Sequence, residues 1–173
     1  MNIKRRIALK TIIVYYSLEG FTKKWAEKIA ERTGADLLAL HPVKEYPSSG
    51  AKKFLWGGKS ALMGDKPKLQ PYIFNAEKYE RVILAYPVWA SSVTPPVRSF
   101  AEENREALSG KKIGAIATFM GSGAEKSIKK LAKLIGAEPQ PQLILTDLDD
   151  KSAENERRAE EFIGLISEQE SDD

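Results

Sequence analysis

Short apolar runs alternate along this chain with amphipathic segments, and this alternation restricts the fold more than any other property of the sequence. Five runs rich in apolar and β-branched residues have the length of buried strands: Thr11–Tyr16, Ala35–His41, Arg81–Ala85, Lys112–Phe119 and Gln142–Leu148. Helix-like segments follow four of them: Phe21–Thr33, Thr94–Asn104, Ala124–Ile135 and Ser152–Glu168. Such alternation is typical of a parallel sheet covered on both faces. It predicts an α/β three-layer sandwich with a five-stranded parallel sheet of order 2-1-3-4-5.

The length of 173 residues matches one ordinary domain. Residues 1–10 form a basic N-terminal extension whose apolar piece is too short for a signal-peptide core. Residues 11–173 then make up the domain, which contains an enlarged connection at 42–79. Because that connection is too long for a plain loop, we expect a helix in it, around Ala51–Leu62. Trp56 and Phe54 of this helix are expected to pack on the sheet or make a dimer contact, and Trp56 is also a candidate lid over a ligand.

The composition excludes several classes of site. There is no cysteine and His41 is the only histidine, so thiol chemistry within the chain is excluded and a multi-histidine metal site is disfavoured. Asp147, Asp149 and Asp150 fit the cap of the following helix better than a metal site. The net charge of +3 is too small for a nucleic-acid binder, and no run has the ~20 apolar residues of a membrane span. We expect a cytoplasmic protein with no nucleic-acid or membrane partner, no metal and no catalytic side chain.

The loop after the first predicted strand has the character of a phosphate site. Ser17 and Thr22 flank Gly20, and an amphipathic helix begins directly behind them. Backbone N–H groups at a helix start carry positive partial charge, hydroxyls add donors, and glycine permits close approach. The loop lacks the lysine of a Walker motif and the glycine spacing of a dinucleotide site. An anion here would be held mainly by neutral donors, although a helix cap without ligand remains the alternative.

Two further strand ends carry unusual residues. Tyr86-Pro87-Val88-Trp89-Ala90 follows the third strand and offers an aromatic ring, and Phe119-Met120-Gly121-Ser122-Gly123 follows the fourth and offers accessible backbone. In the predicted sheet these ends lie beside the end of the first strand, at the switch point where ligands bind. A flat aromatic ring with a phosphate tail would use all three loops.

These residues resemble the flavodoxins, which are FMN-binding electron carriers. The resemblance runs from Thr11 onward and rests on Tyr-Tyr-Ser-Leu-Glu-Gly-Phe-Thr at 15–22, Pro-Val-Trp-Ala at 87–90 and Gly-Ser-Gly at 121–123. It implies a short-chain flavodoxin-like fold and FMN as the cofactor. By that resemblance the FMN phosphate is held by Ser17, Leu18, Glu19, Gly20, Phe21 and Thr22. The isoalloxazine ring is flanked by Pro87, Val88, Trp89 and Ala90, and its other edge by Phe119, Met120, Gly121, Ser122 and Gly123.

Two residues depart from the family pattern. Glu19 stands where the usual phosphate loop has threonine, and Phe21 stands where a small polar residue is common. A carboxylate near a phosphate dianion is repulsive unless it turns away, so Glu19 is the residue to locate in the structure.

Three functions stay open at this point: a one-electron carrier, an FMN-dependent NAD(P)H oxidoreductase of the quinone-reductase kind, and a flavodoxin-like scaffold that has lost flavin. The first is favoured over an enzyme. Its partners would be redox proteins or a small-molecule electron acceptor, and the oligomeric state is left open.

Overall fold

The computed structural model describes residues 10–48, 51–147 and 151–168. Its centre is one sheet of five parallel strands in the order β2-β1-β3-β4-β5, as predicted. The strands are β1 (Thr11–Tyr15), β2 (Asp36–Ala39), β3 (Arg81–Pro87), β4 (Lys112–Phe119) and β5 (Gln142–Thr146). Because the order reverses between β1 and β3, the carboxyl ends of these two neighbouring strands open a crevice.

Helices cover both faces of the sheet and complete the predicted three layers. They are α1 (Phe21–Thr33), α2 (Ala51–Met63), α3 (Pro95–Glu103), α4 (Arg105–Leu108), α5 (Ala124–Ile135) and α6 (Ser152–Glu168), with a 3₁₀ turn at Ala76–Lys78. On one face, buried side chains of α1 and α6 such as Trp25 and Phe162 pack on the alternate strand residues. On the other, Phe100 of α3 and Leu131 of α5 do the same. The central strands β1, β3 and β4 are therefore buried on both sides, which explains their continuous apolar runs.

Strand boundaries differ from the prediction at the ends. β3 continues to Pro87 instead of stopping at Ala85, because Tyr86 and Pro87 still pair with Ala117 and Thr118 of β4. At the sheet edge β2 is shorter than predicted, Asp36–Ala39 instead of Ala35–His41. An edge strand has only one neighbour to hold its ends.

The connection at 42–79 is tied back onto the domain. Val43 N–H donates to the Lys68 carbonyl at 2.8 Å, and Gln70 N–H donates to the His41 carbonyl at 2.7 Å, so the segment leaves and returns at one place. Its predicted helix is confirmed as α2, one residue longer than expected. Beyond it, Phe74 packs against Phe100 with ring centroids 5.0 Å apart. The connection thus belongs to the domain core at its far end.

Two predictions fall on residues outside the described ranges. They are the N-terminal extension up to residue 9 and the capping role of Asp149 and Asp150. Lys10 is described, and its ammonium lies 3.2 Å from the Asp36 carboxylate.

The six tyrosines of the chain should resist ionisation in the folded protein. Burial raises the pKa of Tyr15, Tyr16, Tyr46, Tyr72, Tyr79 and Tyr86, to about 12 for the last three of these. For Tyr79 the Asp36 carboxylate, 2.7 Å from the hydroxyl, raises the pKa further. The folded state holds these protons more tightly than the unfolded chain, where the pKa is 10.0. Stability is therefore complete below pH 10 and falls as pH rises toward 12.

The measurement is absorbance at the phenolate band during alkaline titration of flavin-free protein. We expect well under half of the tyrosine signal at pH 10, with the main rise coinciding with loss of helical circular dichroism. Half of the signal at pH 10, with the circular dichroism intact, would contradict the prediction.

Candidate functional site

A pocket of about 310 Å³ lies at the carboxyl end of the sheet, where the three loops described above meet. Its volume is at the lower end of the ~300–1,000 Å³ usual for small-molecule sites. The walls come from the β1, β3 and β4 ends and from α2 and the β5 end. They are Ser17, Leu18, Glu19, Phe21, Thr22, Gly58, Pro87, Val88, Trp89, Ala90, Thr118, Phe119, Met120, Gly121, Ser122 and Asp147.

The β1 loop turns into α1 through a left-handed glycine. Gly20 is the N-cap of α1 with φ of 95°, a conformation that L side chains adopt rarely. Its N–H donates to the Ser17 hydroxyl oxygen at 3.1 Å, which closes the loop and leaves the Ser17 O–H proton to donate elsewhere. The first intrahelical bond runs from Lys24 N–H to the Gly20 carbonyl at 2.9 Å, so the preceding N–H groups have no intrahelical acceptor. The loop Ser17–Thr22 therefore has the donors that an anion cradle needs.

The loop after β3 is a tight two-residue turn built from unusual residues. Trp89 and Ser92 exchange two backbone hydrogen bonds, of 3.2 and 2.9 Å, around Ala90 and Ser91. Both central residues are left-handed, with φ of 48° and 52°, in positions where Asn and Gly are the common choices. Each costs about 1 kcal/mol of backbone strain. A turn strained in this way persists only where neighbours hold it.

Gly123 is one of the residues that make room for this turn. A Cβ built on Gly123 would lie 2.1 Å from the Ser91 hydroxyl oxygen and 3.0 Å from the Ser91 Cα. On the other side, the Lys130 ammonium donates to the Ser92 hydroxyl at 2.5 Å. The turn after β3 is therefore held by the loop and helix that follow β4. The pocket walls formed by the loops after β3 and β4 therefore depend on the close contact between Ser91 and Gly123.

Trp89 stands in an aromatic cluster at the pocket wall. Its ring meets Tyr16 edge-on with centroids 5.7 Å apart and Tyr46 with centroids 5.1 Å apart. A Cβ on Gly57 would lie 3.1 Å from the indole, so α2 touches the ring directly. The Tyr16 hydroxyl is buried and has no hydrogen-bond partner in the part of the chain that the structure describes. The half-buried indole is thus fixed on several sides.

Two threonines join the β1 and β4 loops below the pocket. The hydroxyl oxygens of Thr22 and Thr118 lie 2.8 Å apart, and both side chains are buried. The Thr118 hydroxyl also approaches the Tyr86 carbonyl at 3.5 Å. Since Thr22 already has a hydroxyl partner, its side chain ties the cradle to β4 and is not simply a donor held open for a ligand.

The charges around the pocket are negative. Glu19 and Asp147 line it, and among the described residues no lysine, arginine or histidine does. Glu19 is exposed, which keeps its carboxylate hydrated. The described lining therefore offers an anion neutral donors only, and two carboxylates line the same space.

Thirteen of the fifteen predicted site residues line the pocket. The exceptions are Gly20 and Gly123, which set the backbone behind the walls. Three lining residues were missed: Gly58, Thr118 and Asp147. The Gly57-Gly58 pair inside a helix was a usable signal of close approach, and Thr118 is a polar residue at the end of an apolar run.

The position of Trp56 differs from the prediction. Trp56 does not pack on the sheet, because its side chain is 58% exposed, and it does not line the pocket. Its Phe54 neighbour has no described side chain. Within the described ranges, no group of three or more His, Asp or Glu side chains could hold a metal ion. Over the same ranges, no helix has the length and apolarity needed to cross a bilayer.

Fold and pocket together define a doubly wound α/β protein with a pocket at its topological switch point. A family model described as flavodoxin matches residues 10–154. The chain belongs to the flavodoxin family. A search of curated protein sequences finds no match.

Solved structures share this fold at low sequence identity. A candidate flavoprotein from Bacteroides eggerthii DSM 20697 has a TM-score of 0.72 at 23% identity, covering 91% of this chain and 98% of that one. A flavoprotein from Lactobacillus acidophilus NCFM, solved in complex with FMN, has a TM-score of 0.68 at 20% identity, covering 86% and 99%. Rubredoxin oxygen:oxidoreductase from Desulfovibrio gigas has a TM-score of 0.59 at 18% identity, and the match covers 94% of this chain but 36% of that one.

Proposed function

We propose that this protein binds FMN in the pocket and works as an electron carrier. The observation that carries the proposal is the meeting of three loops in one pocket: a neutral anion cradle at the start of α1, an immobilised tryptophan, and a glycine-rich backbone edge. The FMN-bound relative with the same fold supports this choice of ligand. Electron transfer by a bound flavin requires no acid–base side chain from the protein.

In this proposal each loop has a separate task. Ser17 and the N–H groups that begin α1 would hold the phosphate. Trp89 would cover the ring, and Phe119–Ser122 would border it with backbone. When bound, the flavin supplies reversible uptake of one or two electrons. The protein's contribution is to orient the cofactor, exclude water with Trp89 and Val88, and set its electrostatic surroundings.

A second function, an FMN-dependent NAD(P)H oxidoreductase, is favoured by one observation. The enlarged connection supplies Gly58 to the pocket wall and brings Gly57 against Trp89, so a segment beyond the core fold shapes the site. Such a wall could form a compartment for a second substrate. Steady-state NADPH oxidation by the FMN-loaded protein, with a quinone as acceptor, separates the two functions. Turnover above the rate of free FMN assigns the enzyme, and its absence assigns the carrier.

An absorbance spectrum tests flavin binding itself. Purified protein, incubated with FMN and freed of excess, should show flavin bands in the visible at one FMN per chain. A chain that retains no flavin absorbance would identify the scaffold that has lost flavin and would exclude both redox functions. We also expect the protein in the cytoplasm, with a redox protein or a small molecule as electron acceptor.

Removal of the Glu19 charge should strengthen FMN binding. Glu19 lines the pocket beside the cradle, where a phosphate dianion would meet its carboxylate. At the dielectric of a partly exposed site, removing this repulsion is worth about 1 kcal/mol, or about five-fold in affinity. We expect Glu19→Gln to lower the FMN dissociation constant by that factor at low salt, with a smaller effect in high salt.

The control is Asp65→Asn, which removes an exposed carboxylate that does not line the pocket. Fluorescence titration of FMN gives both constants. Equal affinity of Glu19→Gln and the parent at low salt would show that this carboxylate faces away from the phosphate.

A further inference from the structure

Helix α2 exposes several large apolar side chains. Among its described side chains, the buried ones are small: Gly57, Ser60 at 7% exposure and Ala61 at 1%. Four large apolar side chains point to solvent: Leu55 at 70%, Trp56 at 58%, Leu62 at 72% and Met63 at 70% exposure. An ordinary surface helix buries its large apolar residues and exposes its polar ones.

Packing within the domain explains why the inward residues of α2 are small. It does not explain why the outward residues are large and apolar. Gly57 lies against Trp89, and the Ser60 hydroxyl lies 3.1 Å from the Tyr46 hydroxyl, so the inner face is built for close approach. At ~100° per residue, the four large apolar residues fall within an arc of about 120° on the opposite side. Four adjacent large apolar side chains are more than the scattered single exposures usual on a monomer.

Positive charge is concentrated around the same helix. Residues 42–70 carry six lysines and two acidic residues, a net charge of +4, whereas the whole chain carries +3. Lys52 and Lys59 are exposed on the outward arc, and the α2 sequence holds no Asp or Glu. The Lys44 ammonium lies over the Trp56 ring at 5.9 Å. The outward face is therefore apolar and basic together.

We propose that α2 docks this protein onto an anionic lipid surface. Leu55, Leu62 and Met63 enter the boundary between headgroups and acyl chains, Trp56 lies at headgroup level, and the lysine stems bring their ammonium groups to lipid phosphates. This is peripheral contact along one face of a helix of about 20 Å, not insertion across the bilayer. For this face of α2, the proposal replaces our expectation from the sequence that the protein has no membrane partner. The proposal does not depend on flavin binding.

The composition favours a lipid surface over the other occupants. A second copy of the chain would bring together two segments 42–70 that each carry a net charge of +4, and these repel. Protein interfaces are depleted in lysine, whereas helices that lie in a membrane surface combine lysine with Trp and Leu. Docking by α2 would also place the pocket near the lipid, because Gly58 belongs to this helix and lines the pocket.

The test is co-sedimentation of the full-length protein with vesicles of phosphatidylcholine, with or without about 30 mol% phosphatidylglycerol. We expect at least ten-fold stronger partitioning with the anionic lipid, and a decrease in high salt. Leu55→Gln/Leu62→Gln should reduce partitioning at least ten-fold, and Lys52→Gln/Lys59→Gln about as much, since each lysine near such a surface contributes about five-fold.

The matched control is Ile73→Gln/Leu165→Gln, which removes two exposed apolar side chains outside α2 and should leave partitioning unchanged. Trp emission provides a second readout, because Trp25 is 2% exposed and Trp56 is 58% exposed. Emission should shift to shorter wavelength on vesicles, and Trp56→Phe should lose that shift while still sedimenting. FMN affinity, measured in the same variants, should not change.

Three results would overturn the proposal. One is partitioning that is equal in the α2 variants and the parent, or indifferent to phosphatidylglycerol. Another is self-association that Leu55→Gln/Leu62→Gln abolishes, without vesicle binding, which would assign the face to a second copy. The last is salt-sensitive binding to immobilised polyglutamate without vesicle binding, which would assign it to an acidic protein.

Discussion

Gly123→Ala should destabilise the protein by about 2–4 kcal/mol and weaken FMN binding at least ten-fold. Two costs combine. The residue has φ of 93°, where a side chain adds about 1 kcal/mol of strain. Its Cβ would also stand 2.1 Å from the Ser91 hydroxyl oxygen, so the strained turn must move, at about 1–3 kcal/mol. Since Trp89 begins that turn, its displacement reaches the pocket wall.

The other helix-flanking glycines of the chain provide the control. Gly136 has φ of 73°, and no atom lies within 4 Å of the position that its Cβ would take. Gly136→Ala therefore carries the strain alone, about 1 kcal/mol, and should leave FMN affinity unchanged. Adding Ser91→Gly to Gly123→Ala removes the clashing hydroxyl and relaxes a left-handed residue, and should recover most of the loss. Chemical denaturation and FMN titration measure the series. The prediction would be wrong if Gly123→Ala and Gly136→Ala lowered the free energy of unfolding equally and Ser91→Gly recovered none of the loss.

The sequence was sufficient for the parts of the fold that depend on local pattern. Continuous apolar runs such as Arg81–Ala85 and Lys112–Phe119 identified central strands, because burial on both faces removes the alternation of polar residues. It was weaker at the edge, where β2 is shorter than predicted. The ends of an edge strand can pair with a neighbouring strand on one side only. Whether they form therefore depends on that tertiary pairing and not on the local sequence pattern.

Site residues were predicted where an unusual residue follows the end of a strand. They were missed where contacts between segments distant in sequence determine the position of the residue. Ala90 and Ser91 give no sign of a left-handed turn, because their conformation is imposed by the space beside Gly123. Asp147 lies at the pocket because β5 pairs with β4, and its N–H donates to the Phe119 carbonyl at 2.8 Å. The inward glycines of α2 were visible in the sequence, but their partner, Trp89, is far away along the chain.

Trp89→Ala should weaken FMN binding about 100-fold, equivalent to about 2.7 kcal/mol. The indole is the largest side chain in the wall, and the aromatic face it offers a planar ring is worth about 0.5–1.5 kcal/mol beyond buried area. Its loss also empties the space among Tyr16, Tyr46 and Gly57, which lowers stability by about 2 kcal/mol because the side chain is only half-buried. Fluorescence titration of FMN and thermal unfolding of the flavin-free protein separate the two effects.

Two companion variants make this prediction specific. Trp56→Ala removes an indole that is exposed and outside the pocket, so it should alter neither FMN affinity nor the melting temperature appreciably. Trp89→Phe retains an aromatic face on the same backbone and should recover at least half of the lost binding free energy. If Trp56→Ala weakened FMN as much as Trp89→Ala, Trp56 would be the lid over the cofactor after all. We expect Trp89 to be the residue that contacts the flavin ring, because Trp89 lines the pocket and Trp56 does not. Gly57, Tyr16 and Tyr46 hold the Trp89 indole in that position.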